Sequence, residues 1–459
     1  MSATETVRLV REGELTRREL VEAHLERIAA HNGAINAIVE TRSEAALAEA
    51  AAADSDAANR VGLALDGVPI CIKDHFDVAG MKHTEGVRPL AHRVSAADEV
   101  AVARLRAAGA IVVGKCNQPD FQIRWNTVSD LYGVTRNPRD LTRTAGGSSG
   151  GDAAAVASGM AALGLGADYG GSIRVPASFC GIYGLRPSAG RVPAVATLPP
   201  FDGPPTLDLM ASIGPFARSV DDLWRAFEVL SGADPRDPAT IDMPLRAESG
   251  GSGRRVARMC HQTGARVTQE IEAALDRTAD VLSRAGYEIV DAGIPGAERA
   301  PDVWAELVGT ELLHSAMPVW RDQMGESGRQ HIEEMFGIYD LGPDVRRYIA
   351  SFMERRAIVR ETAAWMESHP LILAPVAGMP APPLDFDHFL DRQQTQSLFD
   401  HMRNVMWVNL LSLPSIAFPN GIQIVARRFH EADLFDAASA VEREFDPLSI
   451  AVSDSDPIE

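Results

Sequence analysis

The chain has 459 residues, of which 46% are hydrophobic and 23% are charged, a composition typical of globular proteins. Its formal net charge is −19 at pH 7, and because such a surface repels a phosphate backbone we expect no direct nucleic-acid partner. The four cysteines form no Cys-x-x-Cys pair and the amino terminus carries no apolar leader, so we expect no zinc site, no disulfide framework and a cytoplasmic location.

Helical and extended patterns alternate along the chain. Thr16 and Glu19 form a capping-box pair that begins the first predicted helix. Helices are predicted over Thr16 to His31, Glu44 to Ala58, Asp98 to Ala108, Ala153 to Met160 and Thr268 to Ala285. Strands are predicted over Gly67 to Lys73, Ala110 to Val113, Leu163 to Asp168, Tyr287 to Val290, Leu371 to Val376, Asn409 to Phe418 and Ile422 to Val425. The alternation predicts an α/β fold, with loops at residues 126–147 and 247–255. The uncharged stretch from Ala153 to Ala167 is too short to span a membrane, and we expect no membrane association.

Lysine is nearly absent from the chain. Of 44 lysines and arginines only three are lysines, Lys73, Lys82 and Lys115. Arginine stays protonated in proteins, whereas a desolvated lysine becomes neutral and can accept a proton. The three lysines are therefore candidates for chemistry, and Lys73 is the strongest because it ends a predicted strand.

Three segments carry the residues that covalent catalysis needs. They are GVPICIKD, which contains Lys73, GGSSGG, which contains Ser148, and DYGGSIRVP, which contains Ser172. A serine hydroxyl attacks a carbonyl only with a base in reach, and no histidine is near either serine in sequence. Glycine pairs beside a serine can present successive backbone N–H groups to an oxyanion. The segments therefore predict a serine nucleophile with a lysine as its base.

These segments resemble the amidase signature family. GGSSGG is followed, 24 residues after its first serine, by the serine of DYGGSIRVP, and FCGIYGLRPSAGRVP continues the family pattern. RLRAAGAIVVGKCNQPDF also matches the family, and the weaker downstream blocks IGPFARSVDDL and LILAPVAGMPAPP extend the resemblance over nearly the whole chain. The resemblance implies a mixed sheet flanked by helices on both faces. It also implies one domain over residues 1–459, with a helical part (1–60), a catalytic core (61–195) and a pocket-forming part (196–459).

The resemblance also assigns roles to residues of this chain. Lys73 would be the base, Ser148 a bridging serine on a cis peptide, and Ser172 the nucleophile that forms an acyl-enzyme. The backbone amides of Tyr169, Gly170 and Gly171 would form the oxyanion hole with that of Ser172. From the residues themselves, we treat Phe121, Trp125 and Tyr132 as either pocket or core aromatics.

Three departures from the family pattern concern the shape of the pocket. Ala145 replaces a common proline, His75 replaces a common asparagine, and the segment from Phe418 to Gln423 is short.

Two motifs have other interpretations. GGSSG also fits the G-x-S-x-G elbow of α/β-hydrolases, which would make Ser148 the nucleophile and His314 or His401 its base. Residues 109–115 nearly fit a P-loop, but Cys116 replaces the hydroxyl that would hold magnesium.

The predicted activity is hydrolysis of a small-molecule carboxamide to an acid and ammonia or an amine, without metal or cofactor. The alternatives are the A-type subunit of a tRNA-dependent amidotransferase, which releases ammonia from glutamine inside an assembly, and an amide-forming acyl transferase with the same triad. A homodimer is a family-level expectation.

Overall fold

The computed structural model describes residues 1–195, 203–245, 254–342, 344–444 and 450–451. The α-helices are α1 (Ala3–Glu12), α2 (Arg17–Ile35), α3 (Ser43–Ser55), α4 (Val100–Ala107), α5 (Gly150–Ala157), α6 (Arg174–Cys180), α7 (Pro205–Met210), α8 (Val220–Leu230), α9 (Gln269–Arg284), α10 (Ala300–Glu311), α11 (Met317–Trp320), α12 (Glu326–Ile338), α13 (Val345–Met366), α14 (Arg392–Leu410) and α15 (Glu431–Glu442). No helix within these ranges is both long and apolar enough to cross a bilayer.

The strands are β1 (Ile38–Thr41), β2 (Pro69–Lys73), β3 (Ile111–Cys116), β4 (Val128–Ser129), β5 (Gly133–Val134), β6 (Arg136–Asn137), β7 (Asp140–Thr144), β8 (Leu163–Asp168), β9 (Tyr183–Arg186), β10 (Ser212–Ala217), β11 (Arg255–Arg258), β12 (Glu288–Asp291), β13 (Leu371–Pro375), β14 (Ser415–Ala417) and β15 (Ile422–Ala426). Eleven of them form one sheet in the order β1-β3-β2-β8-β10-β9-β14-β15-β13-β11-β12. Neighbours are parallel at β3-β2-β8 and at β13-β11-β12 and antiparallel elsewhere, so the sheet is mixed.

Helices cover both faces of this sheet and bury an apolar core on each. On β2 the side chains of Ile70 and Ile72 enter one core, and that of Cys71 enters the other. Side chains alternate along a strand, so Lys73 faces the same side as Cys71, where the alanines of α5 pack. The strand pattern therefore aims the lysine at the helix that follows GGSSGG.

The parallel pairing of β2 with β8 positions the candidate site. Ile72 lies opposite Leu165, so both strands run towards the same edge of the sheet. β2 ends at Lys73 and β8 ends at Asp168, immediately before the glycine turn. Parallel neighbours end at the same edge, and segments 95 residues apart therefore meet there.

The predicted α/β class is confirmed, and most predicted elements lie within two or three residues of the observed ones. The loop expected at 126–147 was partly wrong, because it contains two small hairpins, β4-β5 and β6-β7. The strand expected from Asn409 was wrong at its start, because α14 extends to Leu410 and β14 begins only at Ser415. The predicted loop at 247–255 lies almost entirely outside the described residues. The division into one domain with three parts stays a prediction, although the main sheet takes strands from all three parts.

Candidate active site

Lys73 is fully buried, and its amine reaches one of the predicted serines. Its Nζ donates a hydrogen bond of 2.7 Å to Oγ of Ser148. Burial lowers the pKa of Lys73 to about 8, although nearby carboxylates such as that of Asp152 oppose the shift. An amine with this pKa is partly neutral near pH 7 and able to accept a proton.

Ser148 and Ser149 immediately precede α5, and the peptide bond between Gly147 and Ser148 is cis. Oγ of Ser149 faces the backbone of Ala167 at 3.4 Å, so the two neighbouring serines have different surroundings. Asp152, in the first turn of α5, is fully buried, and neither carboxylate oxygen hydrogen-bonds to any described residue. Burial raises the pKa of Asp152 to about 8, which weakens the effect of this carboxyl in holding Lys73 in its charged form.

Ser172 follows a sharp turn that begins where β8 ends. Gly171 has a φ of +102°, and a Cβ there would lie 2.7 Å from the side chain of Val405, so only glycine fits. Asp168 braces the turn by accepting bonds from the N–H groups of Gly171 and Ile173 and from the guanidinium of Arg174. Burial alone would raise the pKa of Asp168, but the charge of Arg174 holds it below its usual value. Asp168 and Arg174 are therefore a structural pair.

The backbone N–H groups of the turn differ in whether they are free. That of Gly171 donates to Oδ1 of Asp168 at 2.9 Å. Those of Tyr169, Gly170 and Ser172 donate to no residue in the described ranges. Three of the four N–H groups predicted for the oxyanion hole are thus available, and that of Gly171 is already engaged.

Both serines line a cavity of about 330 Å³. Within the described part of the chain no hydrogen bond joins the hydroxyls of Ser148 and Ser172. Of the three aromatic candidates, Phe121 and Trp125 line the cavity, and Tyr132 does not. Tyr132 lies in the turn of the β4-β5 hairpin, where its N–H donates to Oγ of Ser129 at 3.0 Å. Tyr132 thus lies at a hairpin turn and not among the lining residues, so the pocket role, one of the two left open for it, is not supported.

A large apolar part of the cavity wall comes from helices that the sequence did not predict, and residues between 190 and 239 supply another part. The apolar residues that these helices supply include Trp304, Val308, Leu312, Trp320, Ile332 and Met335. Phe121 stacks on Trp320 with ring centres 4.5 Å apart and planes at 4°. The signal that could have identified this wall was the aromatic and aliphatic content of residues 303–336 at helical spacing.

The basic side chain on the cavity wall is paired with a carboxylate. Arg124 is the one lysine or arginine that lines it among the described residues, and it forms a bidentate pair with Asp387 at 2.7 and 2.9 Å. His75, the departure from the family pattern, lies at the wall, and its Nδ1 contacts Glu85 at 2.7 Å. The wall also carries three carboxyl groups that form no salt bridge with a described residue, those of Glu99, Asp208 and Asp237. The cavity therefore offers a ligand no free arginine or lysine among the described residues, but it does offer acidic groups.

Two groups of metal-binding side chains lie near the site, and neither suits a metal. Cys71, Cys116 and Asp152 converge, but burial raises the pKa of both thiols, and a metal requires the thiolate. In the second group, His75, His83 and Glu85, both ring nitrogens of His83 contact carboxylates, Nδ1 that of Asp77 and Nε2 that of Glu85. His83 thus has no free lone pair for a metal. The absence of a cofactor stays a prediction.

The two other motif interpretations do not fit the geometry. His314 and His401 are not among the residues that line the cavity of Ser148 in the described chain. Residues 111–116 form β3, and Nζ of Lys115 donates to the backbone carbonyls of Asp74, at 3.0 Å, and Phe76. A strand with its lysine bonded to backbone is no phosphate loop.

Comparisons with known proteins agree with this geometry. The sequence model of the family described as Amidase matches residues 19–435. The chain is 33% identical to an indoleacetamide hydrolase of Bradyrhizobium diazoefficiens, over 96% of this chain and 86% of that protein. It is 34% identical to the A-type subunit of the glutamyl-tRNA(Gln) amidotransferase of Deinococcus radiodurans, over 92% and 90%. A solved structure of a bacterial aryl acylamidase of the amidase signature family superposes with a TM-score of 0.83 at 27% identity, over 96% of both chains.

The chain therefore belongs to the Amidase family, that of the amidase signature enzymes. It is an amidase, a hydrolase that acts on amide C–N bonds.

Proposed function

We propose that this amidase cleaves its substrate through an acyl-enzyme on Ser172, with Ser148 and Lys73 as the proton relay. The observation that carries the proposal is the 2.7 Å contact between the buried amine of Lys73 and Oγ of Ser148, which lines the same cavity as Ser172. A lysine with its pKa lowered to about 8 by burial has the basicity that the relay needs near neutral pH.

The reaction begins when neutral Lys73 accepts a proton from Ser148, which accepts one from Ser172. Oγ of Ser172 attacks the amide carbonyl and forms a tetrahedral intermediate. Its oxyanion accepts hydrogen bonds from the free N–H groups of Gly170 and Ser172, and that of Tyr169 is a further candidate. The relay returns its proton to the leaving nitrogen, because an unprotonated amine is a poor leaving group. Water, deprotonated by the same relay, then attacks the ester, and the acid leaves as Ser172 recovers its proton.

We propose that the substrate carries a hydrophobic, aromatic acyl group. Trp304, Trp320 and Phe121 present flat apolar rings to the cavity, and a volume of about 330 Å³ suits a one- or two-ring group. The similarity to an indoleacetamide hydrolase and to an aryl acylamidase supports this class of substrate.

The second candidate is a component that hydrolyses glutamine within an assembly, favoured by the 34% identity to the A-type chain of an amidotransferase. Free glutamine carries an α-carboxylate and an α-ammonium group, which need charged partners when buried. Arg124, the one arginine among the described lining residues, is already paired with Asp387, so the α-carboxylate of glutamine has no free cationic partner there, which argues against glutamine. A purified chain that releases ammonia from an arylacetamide but not from glutamine would exclude this candidate.

The test of the proposed nucleophile is labelling with a fluorophosphonate, followed by peptide mass mapping. We expect the label on Ser172, and its loss in Lys73→Met. A label on Ser148 would overturn the assignment and favour the elbow interpretation. No label on protein that hydrolyses an arylacetamide would exclude the acyl-enzyme.

A further inference from the structure

Each backbone carbonyl in the turn before the nucleophile accepts a hydrogen bond. The donor is either a side chain outside the turn or a backbone N–H of the helix that follows. The carbonyls belong to four consecutive residues, 168–171. Their donors are Nδ2 of Asn409 to Asp168 (3.2 Å), Nε1 of Trp304 to Tyr169 (2.9 Å), Nε1 of Trp125 to Gly170 (2.8 Å) and the N–H of Val175 to Gly171 (2.8 Å). Two of the four donors are tryptophans, on elements far apart in the sequence.

Holding a carbonyl fixes the direction of the N–H in the same peptide unit. In a planar trans peptide the C=O of one residue and the N–H of the next point in opposite directions. The bond from Trp304 to the carbonyl of Tyr169 therefore sets the direction of the N–H of Gly170. That N–H has no other partner among the described residues, so its direction depends on Trp304.

Trp125 acts on the next peptide unit, whose other end is already tied. Its bond to the carbonyl of Gly170 sets the direction of the N–H of Gly171, which also donates to Asp168 at 2.9 Å. Loss of the Trp125 bond would leave this peptide held at one end, whereas loss of the Trp304 bond would leave its peptide held at neither. Trp304 thus contributes more than Trp125 to fixing the orientation of its peptide unit.

The ring of Trp304 adds a packing constraint to its hydrogen bond. A Cβ at Gly170 would lie 2.8 Å from Cζ2 of Trp304, so the ring lies directly against the backbone of Gly170. Trp304 is itself 6% exposed and is anchored on α10. Helix α10 thus fixes the position of the Trp304 ring, and the ring fixes the peptide unit between Tyr169 and Gly170.

We propose that Trp304 is a positioning residue that orients the N–H of Gly170 towards the substrate oxyanion, with Trp125 as a weaker second support. The proposal rests on the proposed function, in which that N–H stabilises the oxyanion. Trp304 lies outside the segments that carry the serines and the lysine, so the oxyanion hole depends on the pocket-forming part of the chain.

The test compares three tryptophan-to-phenylalanine variants on an arylacetamide. Trp304→Phe removes the donor, and kcat should fall ~10–100-fold with KM within about threefold, since one lost oxyanion donor costs ~10²–10³. Trp125→Phe should lower kcat about three- to tenfold on the same scale. Trp407→Phe is the matched control, because Trp407 is fully buried and its Nε1 has no hydrogen-bond partner among the described residues. A kcat of Trp304→Phe equal to that of the control would overturn the proposal.

A second measurement separates donor loss from a change in pocket shape. Incorporation of 3-benzothienylalanine at position 304 keeps the ring shape and removes only the N–H donor. The inhibition constant of an arylboronic acid, which mimics the tetrahedral oxyanion, should rise in parallel with the fall in kcat/KM, while binding of the acid product changes little. Equal weakening of both ligands would assign Trp304 to substrate binding and overturn the positioning role.

The wild-type protein distinguishes failure of this proposal from failure of the proposed function. If a fluorophosphonate labels Ser172 in the wild type, the nucleophile stands, and the variants test Trp304 alone. Labelling of Trp304→Phe should then be slower by a factor similar to that for kcat, with the pH profile unchanged. Wild type labelled elsewhere would remove the basis of both proposals.

Discussion

The two walls of the cavity are built from different chemistry. One wall carries Ser148 and Ser172, which lie next to the buried polar groups of Lys73 and Asp168. A second wall comes from α10 to α12, where Val308 and Met335 present apolar side chains. On the first wall nearly every contact is a directed hydrogen bond, whereas the second depends on shape and apolar area.

This difference indicates how each wall should respond to substitution. A directed contact fails when one atom is removed, because a buried partner is left unsatisfied. An apolar wall loses affinity in proportion to the contact area removed, typically ~1–3 kcal/mol for a side chain. Substitutions on the polar wall should therefore change kcat, and those that remove only apolar area from the second wall should change KM. Trp304 is the exception on the second wall, because its Nε1 donates to the backbone of Tyr169.

The largest effect is expected from Lys73→Met. Turnover of an arylacetamide should fall by ~10³–10⁴-fold, because the relay loses its base. In the wild type, kcat/KM should decline as the pH falls below about 8, since burial lowers the pKa of Lys73 to about 8 and the protonated amine accepts no proton. Initial rates between pH 5.5 and 9.5 measure both effects.

Lys115→Met is the matched control, because Lys115 is equally buried on the neighbouring strand but bonds only to backbone carbonyls. It should lower thermal stability and leave the inflection near pH 8 in place. An inflection that disappears with Lys115 and persists without Lys73 would contradict the assignment of the base.

A smaller and selective effect is expected from Ser148→Ala. Hydrolysis of an arylacetamide should slow by ~100-fold or more and that of the matching ester by ~10-fold, because an alkoxide needs less proton delivery than an amine. Paired kcat/KM values for the two substrates measure the difference.

Ser149→Ala supplies the comparison within the same motif, since the hydroxyl of Ser149 faces the backbone of Ala167. It should slow both substrates equally and slightly. An equal loss on amide and ester in Ser148→Ala would show that this serine delivers no proton.

The smallest effect is expected on the apolar wall, from Trp320→Ala. Removing the ring that stacks on Phe121 should raise KM for an arylacetamide by ~10-fold and leave kcat within about threefold. A short aliphatic amide should show a much smaller change in KM.

Trp365→Ala controls for the loss of a stacked ring outside the cavity. Trp365 is also partly buried and stacks on His369 with ring centres 4.1 Å apart. The KM of Trp365→Ala for an arylacetamide should equal that of the wild type. A Trp320→Ala variant with a low kcat and an unchanged KM would break the division between the two walls.

Local sequence patterns were sufficient wherever neighbours in the chain determine the structure. The capping box of Thr16 and Glu19 is present as predicted, and the alternation along β2 correctly indicates the face of Lys73. The pattern was insufficient for Asn409, which lies in an apolar run typical of a strand but belongs to the last turn of α14, where its side chain donates to Asp168. A local strand pattern does not include this contact, because Asp168 lies 241 residues away in the chain.

The sequence by itself determined the family, the α/β class and the candidate lysine and serines, because short motifs with fixed spacing carry them. Only the tertiary structure revealed that Tyr132 lies outside the cavity, that the N–H of Gly171 is engaged by Asp168, and that Trp304 holds the peptide before Gly170. These outcomes depend on which carbonyl or ring a distant element brings within about 3 Å, and that distance is set by the packing of α10 and the hairpins against the sheet, which no local pattern encodes.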